Sequence, residues 1–595
     1  MAAELKAEVR QSARERRARS FPKAARPTSS SHVAPAFPHT ASSTVLGSST
    51  SADHSRSLSS PLETESHHLR ISYHRGDDVR TGTIGGASAR LSKGSPTDNS
   101  FGTRDLSQDY DELDLVAVMR YMDTIFPQMF PYYCPPTYNG GRDWLLVQVL
   151  QSPTLLNITS CISLLFYSDM TQEQEERTSN ESMLRNATTR HELGRRVEKA
   201  IASLQSDILA LSSPSDILPS PQPSIKTQDK LYSDARLLGS ILQLLCFEVG
   251  SGNSANSLSH LDAALTLFVR ILHDYGTKVG NKEADRPTFA LVLERMARPS
   301  RQLSLIDGVS PMNTDQAAFR FYSTVLLIND ILISSSLSRA PRLQDYHLDL
   351  LGMRNSSSRK SGASEQSGSP QTCTLDVEII IGCQGWVLFW IGEALSLDVW
   401  KKDQVKQAQL DAMDLVDRAN VIKNALEEGI RSLAVTSTSP PNIMDLDETG
   451  EQDRVLDQTI RLTKTWADAA LIFLSMAVSG WQPYALATSS AVERVLDSVE
   501  HLAAAKNVAV VNRLVWPLCV AGCLAKPDQH PRIRAIIAGL GPKGLFSTLS
   551  QAIEIMERAW AGPSSEADRR EGIAEGRDLD LALCLNSLGY PVLLV

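Results

Sequence analysis

Between Ala317 and Leu337 large apolar residues fall on nearly every side of a helix, in the run AAFRFYSTVLLINDILISSSL. A helix that is apolar on all sides cannot lie on a surface and has to be surrounded by other elements. The run closes before Pro341, where a helix cannot continue. The rest of the chain must therefore supply helices to cover it, and the spacing of apolar residues predicts them. Leu115, Val118, Met119, Met122 and Phe126 recur at three- and four-residue steps, predicting a helix that stops at Pro127. Arg142 opens a second, and Ser152-Pro153 reads as an N-cap with proline at the first helical position, launching Leu155, Ile158, Ile162 and Leu165. Further helices are expected over 191–211, 231–249, 257–275, 376–399, 415–433, 454–479, 489–506, 508–525 and 545–561. Strand alternation is absent, although Val508–Val515 is β-branched enough to be ambiguous, and no 34- or 40-residue repeat is evident. The expected fold class is all-α: one large irregular helical domain with a long disordered N-terminal region and disordered inserts.

The regions without this periodicity differ in composition. Residues 1–26 form a basic arm, with Lys6, Arg10, Arg14, Arg16, Arg17, Arg19, Lys23 and Arg26 against three glutamates. Such a run serves nuclear import or phosphate contact, or is simply a solvated tail. Residues 27–105 are rich in Ser, Thr, Pro, Gly and His. With few large apolar side chains they bury too little surface to offset chain entropy, so disorder is expected. The helical domain is expected over 106–595, with inserts at about 212–228, 352–372 and 436–453. In the last insert Ile443, Met444, Asp445, Leu446, Asp447 and Glu448 mix acids with apolar residues. That is the composition of an activation segment and equally of a solvated loop.

Charge and cysteine usage narrow the function classes. A net charge of −9 gives no overall attraction to nucleic acid, so any DNA-binding surface has to be local. The eight cysteines are scattered through apolar runs and do not form a disulfide framework. With no apolar signal-like segment at the N-terminus, a reducing intracellular compartment is expected. Ile379–Leu397 is about long enough to span a bilayer, but Gln384 and Glu393 interrupt it, and a mid-membrane carboxylate costs roughly 2.5–3.5 kcal/mol. It reads as a core helix, and no membrane partner is expected.

No constellation of catalytic type stands up. Cys519 and Cys523 share a helix face with His530 further on, but zinc needs a second pair, so core packing is expected. His260 and Asp262 lie two apart on a helix and do not face each other. The pairs Gly85-Gly86 and Gly140-Gly141 match no phosphate-binding motif. The eight tryptophans lie in or beside apolar helices and are expected in the core. Nothing here supports an enzyme.

A set of short motifs points elsewhere. In order along the chain come Tyr121-Met-Asp-Thr-Ile-Phe-Pro with Phe130-Pro-Tyr, Gly141-Arg-Asp-Trp-Leu-Leu, and Ile241-Leu-Gln-Leu-Leu-Cys-Phe-Glu with Leu261-Asp-Ala-Ala. Then follow Asp330-Ile-Leu-Ile-Ser-Ser, Ala340-Pro-Arg-Leu-Gln-Asp-Tyr, Gly382-Cys-Gln-Gly-Trp with Ile391-Gly-Glu-Ala-Leu, and Val515-Trp-Pro-Leu-Cys-Val-Ala-Gly-Cys. Their collinear order resembles the fungal-specific transcription factor domain, the helical middle homology region of the six-cysteine binuclear zinc-cluster regulators.

The resemblance implies a nuclear transcriptional regulator whose helical domain is a regulatory and interaction module. Implied partners are transcription machinery or co-regulators, DNA, and a second copy in a homodimer. Zinc is the cofactor of full family members, yet the first cysteine here is Cys134, inside the helical domain, so no zinc ligands carry over and no cofactor is expected in this chain. Either the cluster has been lost or the chain begins downstream of it, and the basic Arg10–Arg26 run resembles the segment that follows the cluster in relatives. A second reading is a DNA-independent helical scaffold that partners or competes with such regulators.

Overall fold

A computed structural model describes residues 111–135, 141–175, 180–211, 225–277, 288–297, 312–353, 374–436, 449–504, 508–539, 548–561 and 580–594. Regular structure among the described residues is entirely helical. The longer helices of the first half are α1 Glu112–Arg120, α2 Asp143–Gln151, α3 Pro153–Glu175, α4 Asn180–Leu211, α5 Ile225–Gly250, α6 Ser254–Tyr275, α7 Phe289–Met296 and α8 Thr314–Leu337. Those of the second half are α9 Gly385–Lys406, α10 Ala412–Thr436, α11 Thr449–Ser479, α12 Leu486–Ala504, α13 Val515–Cys523, α14 His530–Gly539 and α15 Leu549–Ala561.

The apolar run becomes α8, and it is the axle of the fold. It packs against α2, α5, α6, α7 and α9, and against a short helix at Leu581–Leu585. By length and hydropathy it could cross a bilayer, but 89% of its most apolar stretch is buried inside the protein. Its start is fixed by a capping box: Asn313 accepts from the Gln316 amide while the Gln316 side chain accepts from the Asn313 amide. The same two side chains donate to Met296 O and Leu293 O, tying α7 to the start of α8. At the other end Ser338 adopts a left-handed conformation (φ 50°) that lets its amide close on Ser334 O.

Most polar residues of α8 are satisfied without leaving the core, Ser323 Oγ and Asp330 Oδ1 being the buried exceptions. Thr324, Asn329 and Ser334 each donate to the carbonyl four residues back. Ser335 donates to Leu332 O and accepts from Trp516 Nε1 at 3.0 Å, which docks α13. Ser336 donates to Val592 O, and Asn586 donates to Ser336 O, so the C-terminal segment closes over the same end. Small hydroxyls thus let a buried helix hydrogen-bond to itself and to its neighbours while presenting no bulky polar group.

Around the start of α8 sits a cluster of aromatic rings. Phe126, Phe130, Tyr133 and Trp144 surround Phe321 with centroids 4.8–5.6 Å apart. Tyr133 accepts from Trp144 Nε1 at 2.6 Å, and Tyr121 accepts from Gln243 at 2.5 Å. Arg142 donates to Met122 O, so it serves the entry turn as a structural residue. The second half has its own centre, where Trp466 of α11 and Trp516 of α13 stack at 5.5 Å, both fully buried.

The remaining expectations mostly hold, with corrections at the ends. The first helix passes Pro127, continuing through a π turn at Tyr121–Ile125 into Phe126–Met129, because Pro127 sits in the first turn of that last piece and needs no amide donor. The 376–399 segment breaks after Ile381: Gly382 is left-handed (φ 70°) and its missing Cβ makes room for the Tyr132 ring. Val508–Val515 is helical, not extended, with a 3₁₀ turn at Asn512–Leu514. Helical or placed residues reach into the bounds expected for the inserts: α5 starts at Ile225, Gly352 and Met353 are placed, and Thr436 and Thr449–Asp453 belong to α10 and α11. Phe289–Met296, His530–Gly539 and Leu581–Leu585 are helices that the periodicity did not reveal.

One ionic junction ties three helices together. Asp315, at the first turn of α8, accepts from Gln148 of α2 at 2.7 Å and from Arg236 of α5 at 2.8 and 3.1 Å. Asp315 is buried while Arg236 is about a third exposed, so losing the carboxylate strands mainly the buried Gln148 amide, at a cost of about 1–3 kcal/mol. Asp315→Ala is expected to lower stability by about 1–3 kcal/mol in chemical denaturation; a change within experimental error would show that the junction does not hold the three helices.

Candidate functional site

The residues singled out from composition lie outside the described residues: the basic arm Arg10, Arg14, Arg16, Arg17, Arg19, Lys23 and Arg26, and the acidic-apolar segment Ile443, Met444, Asp445, Leu446, Asp447 and Glu448. The ends of α10 and α11 at Thr436 and Thr449 bracket the second segment. Cys519 and Cys523 are buried in α13, as expected for core residues. Among the described residues no group of three or more His, Cys, Asp or Glu side chains could hold a metal ion.

Two cavities of the described domain stand out. The larger is an open groove of about 1020 Å³ between α10, α11 and α12. It has Lys423 and Glu427 on one wall and Arg494 on the other. Arg494 already donates to Asp468, at 2.9 and 2.5 Å, so the groove's charges are largely spent on each other.

The second cavity lies where the two halves of the domain meet around α8. About 550 Å³ of space, counting the open mouth, is bounded by Leu245, Cys246 and Val249 of α5 and by Val325, Ile328 and Asn329 of α8. Met129 and Phe130 close one end, Ile380 and Ile381 another. The lining is apolar except for Asn329, whose amide donates to Val325 O, and Arg513 from the 3₁₀ turn.

Arg513 is unusual for its surroundings. It is 9% exposed, makes no hydrogen bond or ion pair to any described residue, and its Nε is buried without a partner. Guanidinium groups are almost never buried unless paired. Burial pushes its pKa down to about 10, and the nearest titratable groups are the Tyr132 phenol and the Cys246 thiol, neither charged at neutral pH. Burial pushes Tyr132 up and Cys246 up to about 12. The Tyr132 hydroxyl and Asn512 Oδ1 are likewise buried without partners. Sequence reasoning passed over Arg513; the available signal was one cation inside the apolar run from Val508 to Val520.

His347 is a second buried group without partners. It is fully buried, neither ring nitrogen is hydrogen-bonded, and its ring lies against Gly392, where an added Cβ would come within 2.8 Å of it. Burial lowers its pKa from 6.5 to about 4. Such a histidine folds neutral, so its contribution is complete above pH 6.5 and is lost as pH falls toward 4.

The whole chain can be set beside known proteins. Residues 117–571 match the family described as fungal specific transcription factor domain, and the chain belongs to that family. It is 31% identical to the transcription factor dibT of Pestalotiopsis microspora over 81% of this chain and 71% of that protein. Over 76% of this chain it is 23% identical to the pestheic acid cluster transcriptional regulator 3 of Pestalotiopsis fici, covering 72% of it. Over 76% again it is 24% identical to a trichothecene biosynthesis transcription regulator of Trichoderma arundinaceum, covering 92% of it. No solved structure matches the chain significantly.

The acid limb of stability tests the state of His347. The wild type is expected to lose up to about 3 kcal/mol through this group between pH 6.5 and 4, and His347→Leu should flatten that part of the curve measured by urea denaturation. Identical acid limbs would mean that the imidazole is not held neutral by the core.

Proposed function

We propose that this protein is a nuclear transcriptional regulator that controls a set of biosynthetic genes. The helical domain is its regulatory and interaction module, and the basic arm supplies nuclear import or phosphate contact. The observation that carries the reading is the family match over residues 117–571, together with relatives named as regulators of biosynthesis. The fold is consistent with it: a large helical body offering grooves and surfaces. Regulation of this kind needs a site that senses, a surface that binds partners and a means of reaching DNA. The acidic-apolar segment between α10 and α11 is assigned to activation through its Ile443, Met444 and Leu446 side chains.

Deleting the gene and profiling transcripts tests the main claim. A coordinated fall in a group of biosynthetic transcripts, restored by the full chain, is expected; unchanged transcripts would overturn it. A fluorescent fusion should be nuclear, and replacing Arg14, Arg16, Arg17 and Arg19 by alanine should move it to the cytoplasm. If the substituted arm leaves both localisation and promoter occupancy by chromatin immunoprecipitation intact, the arm has neither role. Regulation without any promoter occupancy by the wild type would favour a scaffold that works through a DNA-bound relative.

A further inference from the structure

The cavity beside α8 combines two properties that rarely occur together. Its walls are apolar, from Leu245, Val249, Val325, Ile328 and Ile381, and one side chain brought to it carries a full positive charge. Elsewhere in the described core, charged groups are engaged: Arg270 with Asp234 at 2.6 Å, Arg236 with Asp315 at 2.8 Å, and Arg494 with Asp468. Arg513 has no such partner among the described residues, although it is at least as buried as any of those arginines. A cation left unpaired in a core costs stability and is normally compensated by an anion.

We propose that Arg513 is the anchor of a small-molecule site that takes a compact organic carboxylic acid. The carboxylate would accept from the guanidinium, whose planar fork suits two parallel hydrogen bonds, while the apolar body of the acid packs between α5 and α8. The lining has the character of ordinary ligand pockets, which are mostly apolar with a few orienting polar groups. The lining argues against inorganic phosphate, whose remaining oxygens would face hydrocarbon. The position suits an effector: the site is walled by α5 and α8 from the first half and by the Asn512–Leu514 turn that leads into α13 of the second. Ligand binding there would change how the two halves pack. The inference stands on this geometry alone and does not require the transcriptional reading.

Thermal unfolding of the full chain with sodium benzoate tests it, with benzamide of the same shape and inorganic phosphate as comparisons. Millimolar benzoate is expected to raise the Tm of the wild type, whereas benzamide and phosphate leave it unchanged. In Arg513→Met the benzoate shift should vanish, and its ligand-free Tm should equal or exceed that of the wild type, because an unpaired buried charge has been removed. Val249→Phe, which fills the cavity and keeps the arginine, should abolish the shift as well. Arg513→Lys should retain part of it. An unchanged wild-type Tm with benzoate, an equal response to benzamide, protection by phosphate but not benzoate, or a shift that survives Val249→Phe would each overturn the proposal. So would a collapse of ligand-free stability in Arg513→Met, which would make the arginine a structural cation.

Discussion

The fold depends on burying a helix that has no solvent-facing side. Once α8 is enclosed, each backbone and side-chain polar group on it must find a partner inside the protein. The chain meets most of this requirement with small hydroxyls that bond back along the helix, with a capping box at one end and a left-handed serine at the other, leaving Ser323 Oγ and Asp330 Oδ1 without a partner. The few polar contacts that leave the helix are the ones that position its neighbours: Asp315 holds α2 and α5, Asp330 accepts from the Leu343 amide, and Ser335 receives Trp516. Packing supplies the driving force, while these bonds decide which helix lies against which face.

Enclosure by helices of different lengths and angles leaves gaps, and this is where function can enter a core. The aromatic rings around Phe321 fill the space at the start of α8. One or two turns further along, at Val325, Ile328 and Asn329, the covering elements diverge and the cavity opens. Its far wall comes from two places where the second half departs from regular helix, the Gly382 break and the Asn512–Leu514 turn.

Sequence reasoning recovered the parts of this that follow from local pattern. The all-round apolar run, the three- and four-residue spacing and the Ser152-Pro153 start all mapped onto observed helices. Residues 289–296 and 530–539 were missed because they are short, leaving too few turns for a period to show. Pro127 misled because proline ends a helix only when its missing donor was needed. The basic arm and the acidic-apolar segment were legible as composition, which says what they could contact and not where they lie. Arg513 was illegible for a different reason: whether a charge in an apolar run is paired depends on residues hundreds of positions away.

That dependence also bears on what Arg513 means. The buried carboxylates of the described core are spoken for: Asp234 by Arg270, Asp315 by Arg236 and Gln148, Asp468 by Arg494, and Asp330 by a backbone amide. Glu248 lies 3.8 Å from His260, on the same helix as Cys246 but turned to a different neighbour. Moving any of them to Arg513 would strand its present partner, so the described core has no spare anion to offer without a new cost of several kcal/mol. If stability alone shaped the site, an uncharged side chain of similar volume would serve better there, as replacement of buried ion pairs by apolar residues often does. A positive charge kept beside an apolar space makes physical sense when the compensating negative charge arrives from outside the chain. The stability sacrificed in its absence is then recovered as binding energy, and the protein's packing becomes linked to the concentration of whatever carries that charge.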